Sequence, residues 1–405
     1  MIRSFHLAAA ILCAALGTKS TAGPAEEPPY QITPGLFDAT QANLSLAPVP
    51  GLRTATVFRA TDTTDHYCNG ASLIAFHGRL YAQWQSSPHD EDSADTWVAY
   101  SSSADGEAWS TPRVLAPAGG AGSMRSSGGW WTDGATLVAF VNGWPTGFAS
   151  GAGGYTEFST SEDGERWSEL QPVLGRNGHP VRGVIEQDIH AYEGRLHVAF
   201  HLQPGLIATP HFTDDPLGTS GWTAGTMPHS KFKPPTSREI EPSLFARTGD
   251  ELVMVFRDQA SSYRQLAAVS RDHGATWTLP EPTNMPDARA KQSAGNLPDG
   301  TAFLVNCPSG TKAREPLAVT VSRDGRLFDR SFLLRGAGDL PPLRYEGRYK
   351  RRGYHYPKSL VTSEYLYVIY ATNKEAIEVV RVPVAALEST SCRVASPEAA
   401  GHRFP

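Results

Sequence analysis

The sequence is poor in cysteine, which limits how far disulfides can stabilise the fold. It contains four cysteines, of which Cys13 lies in an apolar N-terminal segment, so that Cys68, Cys307 and Cys392 remain for the rest of the chain. Three cysteines at these spacings match no zinc or disulfide framework and allow at most one bridge. An ordinary hydrophobic core must therefore hold the fold together, and a hydrophobic content of 40% is ample for one.

Long hydrophobic runs are also missing, apart from one near the N-terminus. The run Leu7–Leu16 follows Met1-Ile2-Arg3 and precedes the small residues of Ser20–Gly23, which is the layout of a secretory signal peptide. It is too short to span a bilayer, which takes about 20 residues. We predict a signal peptide over residues 1–23, an N-terminal leader and start of the fold over residues 24–52, and a secreted protein, extracellular or periplasmic, without a membrane partner.

Positive charge is not in excess, and this argues against nucleic acid as a partner. The formal net charge is -5, and the basic residues cluster only at Arg348–Arg352, where they can serve an anionic small ligand or a solvated loop. The acidic residues have no spacing that demands calcium, and we predict no metal or other cofactor. Long amphipathic helices are absent too, so the expected fold class is all-β.

A repeated motif supplies the architecture. Ser270–Trp277 reads Ser-Arg-Asp-His-Gly-Ala-Thr-Trp and fits the Asp-box pattern Ser-x-Asp-x-Gly-x-Thr-Trp throughout. Shorter or worn copies begin at Ser103, Ser161, Thr213 and Ser322. In such a turn the Ser and Asp side chains bind backbone amides and glycine takes the positive φ, so we interpret the boxes as structural.

The spacing of the boxes predicts a β-propeller. Successive copies start 58, 52, 57 and 52 residues apart, which matches one four-stranded blade each. Short β-rich runs, such as Leu252–Phe256, lie between the boxes. We predict a propeller over residues 53–385 with six blades, seven being possible, followed by a C-terminal tail over residues 386–405.

A propeller with Asp boxes resembles the sialidase (neuraminidase) superfamily. The resemblance implies a secreted exo-glycosidase that removes a terminal acidic sugar, most simply sialic acid, from an acidic glycan, and we expect it to act as a monomer. Sialidases bind the sugar carboxylate with three arginines, because a guanidinium offers two parallel donors to a carboxylate. Their nucleophile is a tyrosine, which a glutamate deprotonates.

Several segments match the family in order. The segment Glu241–Arg257 is similar to the one that begins with the glutamate and ends with the second arginine, which assigns Glu241 and Arg257. Arg314, at the start of a strand leading into the last box, fits the third arginine. The run Tyr354-His355-Tyr356-Pro357 resembles the nucleophile segment; we favour Tyr356 over Tyr354 and expect His355 to contact the substrate.

The acid/base aspartate of sialidases lies on a loop about a dozen residues before the first box. Here that loop, His89–Asp95, contains several acidic residues. Asp92 is the preferred candidate for the acid/base, with Asp90 as the alternative.

The first arginine of the family has no counterpart. Its Arg-Ile-Pro motif falls at Tyr67–Leu73, where Asn69 stands instead. We expect Asn69 to contact the substrate and Arg59, ten residues earlier, to substitute for the missing cation. The polar run Arg289–Asn296 predicts a further substrate contact through Lys291.

Two other functions fit the same sequence. His66 and His355 lie beside candidate site residues, and a histidine with a tyrosine can abstract the C5 proton of a uronic acid whose carboxylate an arginine neutralises. That reading gives a uronate-directed lyase, or an α-L-rhamnosidase on a related propeller. The other alternative is a glycan-binding propeller without catalytic activity.

Overall fold

The computed structural model describes residues 27–120, 122–186, 189–230, 232–233 and 236–388. The predicted signal peptide, Cys13, Cys392 and most of the predicted tail lie outside these residues. The first strands are β1 (Gln31–Ile32) and β2 (Arg53–Arg59). Short 3-10 turns occur at Ala42–Ser45, Phe148–Ser150 and Ala337–Asp339.

Three antiparallel sheets follow along the chain and form blades 1 to 3. Blade 1 contains β3 (Tyr67–Phe76), β4 (Arg79–Ser87), β5 (Trp97–Ser103) and β6 (Arg113–Ala116). Blade 2 contains β7 (Met124–Thr132), β8 (Leu137–Trp144), β9 (Tyr155–Ser161) and β10 (Gln171–Pro172). Blade 3 contains β11 (Gly183–Ile185), β12 (His190–Tyr192), β13 (Arg195–Leu202), β14 (Ile207–Thr213) and β15 (Thr223–Ala224).

The second half of the chain forms blades 4 to 6. Blade 4 contains β16 (Glu239–Arg247), β17 (Glu251–Asp258), β18 (Arg264–Ser270) and β19 (Glu281–Pro286). Blade 5 contains β20 (Ser293–Asn296), β21 (Ala302–Asn306), β22 (Leu317–Ser322) and β24 (Arg330–Arg335), while β23 (Leu327–Phe328) pairs with β1. Blade 6 contains β25 (Tyr354–Val361), β26 (Tyr365–Thr372) and β27 (Ala376–Pro383), and α1 (Val384–Glu388) ends the described chain.

Blade 6 closes the ring with a strand from the other end of the chain. Its order is β25, β26, β27 and then β2, with Arg53 opposite Arg381 and Arg59 opposite Ala376. Each blade has four strand positions, the first at the axis and the fourth outermost, so β2 is an outer strand. In blade 3 the first position is divided between β11 and β12, which both pair with β13. Six sheets account for the propeller, which confirms six blades; the alternative of seven is wrong.

The Asp boxes are the turns between the third and fourth strands of the blades. In the fullest copy, Gly274 donates its amide hydrogen to Ser270 Oγ (2.9 Å), and Thr276 donates to Asp272 Oδ1 (2.8 Å). Trp277 is buried between blades and donates its indole N–H to the carbonyl oxygen of Gly274 (3.0 Å). Because consecutive turns alternate between the two ends of an antiparallel blade, the boxes lie at the end opposite the turns that join second to third strands.

The core consists of apolar layers between neighbouring blades. Cys68 lies in the layer between blades 6 and 1 and Cys307 in the layer between blades 5 and 6, and both are free thiols. Both thiols are buried in these layers, and Cys307 also donates to the carbonyl oxygen of Tyr354 (3.8 Å), so they act as small core residues. Within the described residues, no helix has the length and apolar character needed to cross a membrane.

Candidate active site

Irregular inner strands place functional side chains at the axis. Strands β3, β16 and β25 each carry a bulge at the same level, where two residues oppose one on the neighbouring strand. Gly70, Glu241 and Tyr356 occupy these bulges with positive φ angles of 61°, 52° and 52°. Bulky residues adopt this conformation at an energetic cost, and such residues concentrate at functional sites. Pro242 follows Glu241, and Pro357 follows Tyr356. Proline has no amide hydrogen to donate to the neighbouring strand, and a bulge tolerates this because its residues leave the regular hydrogen-bond ladder.

A polar cavity of about 240 Å³ opens at this end of the axis, opposite the Asp boxes. Residues from all six blades line it, since the loops that enter the first strands and join the second to third strands converge there. Five of the residues predicted from the sequence line the cavity: Asp92, Glu241, Arg257, Lys291 and Tyr356.

Arg257 connects the predicted nucleophile to the predicted base. Its Nη1 donates to Glu241 Oε2 (2.9 Å) and to the hydroxyl of Tyr356 (3.4 Å). Burial raises the pKa of Glu241, but Arg257, Lys291 and Arg314 outweigh it and lower the pKa to about 2. Burial, followed by the charge of Glu241, raises the pKa of Tyr356. Arg257 thus joins a charged glutamate to a neutral tyrosine.

Arg257 also keeps hydrogen-bonding capacity for a ligand. Both of its bonds use Nη1, and its Nε is buried without a partner among the described residues. A guanidinium with an unused edge in a cavity can bind a carboxylate through two parallel hydrogen bonds.

Arg314 lies behind Tyr356 and does not line the cavity. It is fully buried, and its guanidinium carbon is 5.1 Å from the centre of the Tyr356 ring. Its Nη1 donates to His355 Nδ1 (2.7 Å), and because arginine can only donate, this nitrogen of His355 must accept. The other ring nitrogen, Nε2, then carries the hydrogen and donates to the carbonyl oxygen of Arg351 (3.0 Å).

The structure does not place His355 in the cavity, contrary to our expectation that it contacts the substrate. It is fully buried, and both ring nitrogens are engaged within the protein. Burial and the nearby Arg314 hold its pKa well below the usual value, so the ring is neutral. Its place in the structure is to orient Arg314.

Lys291 forms a buried ion pair at the cavity wall. Its Nζ is 2.8 Å from Glu186 Oε2 and 4.8 Å from the centre of the Tyr356 ring. Burial lowers the pKa of Lys291, but Glu186 and Glu241 outweigh it and raise the pKa. Lys291 is thus a permanent cation beside Tyr356.

Asp92 lies on the loop between β4 and β5 and has an unusual environment. Its backbone has a positive φ of 59°, and its carboxyl group lines the cavity. Burial, assisted by the charges of Glu91 and Glu186, raises the pKa of Asp92 to about 7. The alternative candidate, Asp90, accepts the amide hydrogen of Arg348 (2.7 Å) outside the cavity lining. The carboxyl group of Asp92 can therefore hold a proton at neutral pH.

A lysine that the sequence did not reveal lies where the first arginine is missing. Lys374, in the turn between β26 and β27, is buried with its Nζ paired to Glu91 and 5.7 Å from the centre of the Tyr356 ring. Asn69 donates to the other oxygen of Glu91 (3.3 Å), so lysine and asparagine share one carboxylate. Asn69 is fully buried and does not line the cavity, although Gly70 does.

Arg59 is not brought to the site, contrary to the expectation that it replaces the missing cation. It ends β2, the outermost strand of blade 6, and its half-exposed side chain pairs with Glu378 (3.2 Å). Lys374 could not be found from the sequence, because the segment Thr372–Glu375 resembles an ordinary solvated turn. Glu91 and Glu186 were missed for the same reason, since each lies in a loop.

The site contains no cluster that suggests a metal. Among the described residues, no three His, Cys, Asp or Glu side chains come together in a way that could hold an ion. The charged groups around Tyr356, not counting Asp92, are five cations and three carboxylates. They are Arg257, Lys291, Arg314, Arg351 and Lys374, and Glu91, Glu186 and Glu241. The surroundings are therefore net positive while Asp92 is protonated, as suits an anionic ligand.

The fold and site define the chain as a six-bladed, Asp-box β-propeller with a polar axial cavity. A family profile described as BNR repeat-like domain matches residues 78–368, and the chain belongs to that family. No curated protein matches the sequence.

Solved structures share the propeller. A sialidase has 18% identity and a TM-score of 0.64. The match covers 88% of this chain and 35% of the sialidase. Hadza microbial sialidase Hz136 has 16% identity and a TM-score of 0.63, and the match covers 82% of this chain and 69% of the Hz136 chain. The intramolecular trans-sialidase from Ruminococcus gnavus, solved with oseltamivir carboxylate, has 15% identity and a TM-score of 0.61, covering 83% of this chain and 99% of its own. At these identities the likeness establishes the shared sialidase-type fold.

Proposed function

We propose that the protein is a retaining exo-glycosidase of the sialidase type that removes a terminal acidic sugar, most simply α-linked sialic acid. The observation that carries the proposal is the meeting of Tyr356, Glu241 and Arg257 in one cavity with Asp92. Tyrosine is the nucleophile in sialidases. A neutral phenol suits a substrate whose reacting carbon carries a carboxylate, since a carboxylate nucleophile would be repelled.

In the first step Tyr356 attacks the anomeric carbon. Its hydroxyl oxygen forms the new bond as Glu241 takes the phenolic proton, while the glycosidic bond breaks and Asp92 gives its proton to the leaving oxygen. In the second step Asp92, now a carboxylate, takes a proton from water, which attacks the same carbon. The tyrosine oxygen leaves and recovers its proton from Glu241, so two displacements give net retention.

Substrate binding changes the proton balance between base and nucleophile. In this structure Arg257 is the strongest of the charges that lower the pKa of Glu241, which makes Glu241 a weak base. A substrate carboxylate on the unused edge of Arg257 would neutralise part of that charge. Glu241 would then become more basic at the moment when Tyr356 must lose its proton.

The lyase alternative receives little support from the histidines on which it depended. His355 is bound on both ring nitrogens, and His66 stacks on Tyr345 with ring centres 3.9 Å apart, outside the cavity lining. His201 lines the cavity, but its Nε2 accepts the amide hydrogen of Glu241 (2.8 Å). These three rings are not placed to abstract a proton from a sugar.

The proposed function predicts release of an acidic sugar with retained configuration. Purified protein should liberate 4-methylumbelliferone from its α-sialoside, and proton NMR of early time points should show the α anomer of the free sugar before it equilibrates. Initial β anomer would contradict the tyrosine mechanism. An intact sialoside together with an unsaturated product from a rhamnosyl-glucuronate substrate would instead support the lyase. Binding of acidic glycans without turnover of either substrate would indicate a glycan-binding propeller.

Lys374 predicts an effect on substrate binding. Replacing it with Met removes a buried cation that lies near Tyr356 without lining the cavity, and the loss of this positive charge should raise KM for the sialoside about tenfold, the scale of one charge interacting across several ångströms of protein. Lys374→Arg should recover part of the loss. Burial lowers the pKa of Lys374 to about 8 against the pull of Glu91, so the wild-type KM should also rise as the pH passes 8 and the amine loses its charge.

The matched control for Lys374 is Arg59→Met, which removes a cation from the same blade at its outer edge. Its KM should equal that of the wild type. If Arg59→Met raised KM and Lys374→Met did not, the outer arginine would have to be the substitute cation after all.

A further inference from the structure

A second and larger cavity lies at the rim between blades 1 and 6. Its volume is about 610 Å³, within the range of about 300–1,000 Å³ that is usual for small-molecule sites. We call it the aromatic cleft, because Phe58, Trp84 and Trp97 form its apolar wall. Asp62, Asp65, His66 and His89, with neighbouring threonines, supply the polar part of its lining.

The wall of the cleft is a fixed aromatic surface. Phe58 and Trp84 stack with ring centres 5.7 Å apart and planes inclined by 25°. Trp84 is buried, and its indole nitrogen has no hydrogen-bond partner among the described residues. The ring faces of Phe58 and Trp84 therefore form a rigid apolar wall.

One carboxylate in the cleft is held in place by its neighbours. Asp65 Oδ2 accepts hydrogen bonds from Trp97 Nε1 (2.7 Å) and from Ser86 Oγ (2.8 Å). Neither bond uses Oδ1, which can accept from the hydroxyl groups of a ligand. A preorganised acceptor beside flat apolar rings suits a molecule with both an apolar face and several hydroxyl groups.

This combination selects a neutral saccharide. One face of a pyranose ring is largely C–H and packs on an aromatic ring, while its hydroxyls donate to carboxylates. The described lining includes no lysine or arginine; Asp62 pairs with Arg344 outside it (3.8 Å), so the charge that would repel an anion is that of Asp65. The cleft therefore differs from the axial cavity, where cations predominate.

The cleft and the axial cavity share one loop. His89 lines the cleft and Asp92 lines the cavity, and three consecutive Cα steps of about 3.8 Å keep their Cα atoms within about 11 Å. Under the proposed function, Asp92 protonates the leaving oxygen, so the departing glycan must extend past this loop. We propose that the aromatic cleft binds a neutral sugar of the glycan that carries the acidic sugar; its assignment to the leaving side rests on the proposed function.

The test compares a substrate that reaches the cleft with one that does not. In Trp97→Ala, KM for 3′-sialyllactose should rise about tenfold, as expected for loss of an aromatic contact, while KM for the 4-methylumbelliferyl sialoside stays unchanged. Saturation-transfer NMR with lactose should show binding to the wild type and a loss of at least tenfold in affinity in the variant. Asp65→Asn conserves volume and serves as a second variant if Trp97→Ala does not fold. It should also raise KM for 3′-sialyllactose and weaken lactose binding.

Trp131→Ala is the matched control, since this partly exposed indole of blade 2 lies outside both cavities. It should leave lactose binding and both KM values unchanged. If the wild type binds no lactose, or binds it equally well after both cleft substitutions, the cleft proposal is overturned even if sialosides are cleaved. Lactose binding that depends on Trp97, in a protein that cleaves no sialoside, would support the cleft and reject the proposed function.

Discussion

Replacing Tyr356 with phenylalanine should lower kcat for the sialoside by more than about 10³-fold, the scale of losing a nucleophile. The substitution removes one oxygen and keeps the ring, whose centre lies 4.8 Å from Lys291 Nζ and 5.1 Å from the guanidinium carbon of Arg314. The cations should therefore stay in place, and affinity for an acidic sugar should change little. Initial rates and a binding titration with free sialic acid separate the two effects.

A fluorinated substrate identifies the nucleophile directly. A 3-fluorosialosyl fluoride loses fluoride as Tyr356 attacks, and the second fluorine slows hydrolysis of the bond between Tyr356 and the sugar. Mass spectrometry should find one added sugar on the peptide containing Tyr356 and none in Tyr356→Phe.

Tyr354→Phe is the control from the same strand. Tyr354 is fully buried and donates its hydroxyl hydrogen to the carbonyl oxygen of Gly336 (2.7 Å), so its loss should affect stability and leave kcat near the wild-type value. Full activity in Tyr356→Phe, or inactivity confined to Tyr354→Phe, would remove Tyr356 from the mechanism.

Asp92→Asn should lower kcat for 3′-sialyllactose by about 10²- to 10⁴-fold, the usual contribution of a general acid. The loss should be much smaller for the methylumbelliferyl sialoside, because its phenolic leaving group departs with little protonation. Burial, with Glu91 and Glu186, raises the pKa of Asp92 to about 7, so the wild-type kcat/KM should fall as the pH rises through 7. That descending limb should disappear in Asp92→Asn.

The same substitution should change thermal stability with pH. Because the folded-state pKa of Asp92 lies above its ordinary value of 3.8, the protonated group contributes stability that is complete below about pH 4 and is lost as the pH rises through 7. Asparagine carries no charge, so the Tm of Asp92→Asn relative to the wild type should increase between pH 4 and 7 and then level off. Asp95→Asn, on the exposed part of the loop, should show neither effect. Equal pH dependence of Tm in Asp92→Asn and the wild type would reject the raised pKa.

Much of the fold could be predicted from the sequence because its determinants are local. Each Asp box encodes its own turn: Asp272 binds the amide of Thr276, four residues later, and Gly274 takes a φ of 85°. Repetition of that turn at blade spacing indicates a propeller. The outcome that needed the structure was the blade count, because β2 completes blade 6 from the other end of the chain.

The site was only partly visible in the sequence. Glu241 and Tyr356 each precede a proline in an inner strand, and the structure brings both to the axial cavity with Arg257. In contrast, His355 contacts Arg314 and the backbone and not the cavity, and Arg59 lies at the outer edge. Sequence order indicates the blade on which a residue lies but does not indicate whether its side chain points into the cavity.

The sequence by itself determined the repeated turns, the blade as a unit and the strands that carry the candidate nucleophile and base, since each depends on residues close together in the chain. Only the tertiary structure decided which cation lies near the missing arginine. Lys374 and Glu91 are 283 residues apart and meet because blade 6 packs against blade 1 when the ring closes. Packing between blades also placed Glu186 beside Asp92, and the closure between blades 6 and 1 formed the aromatic cleft. No local pattern in the sequence records either contact.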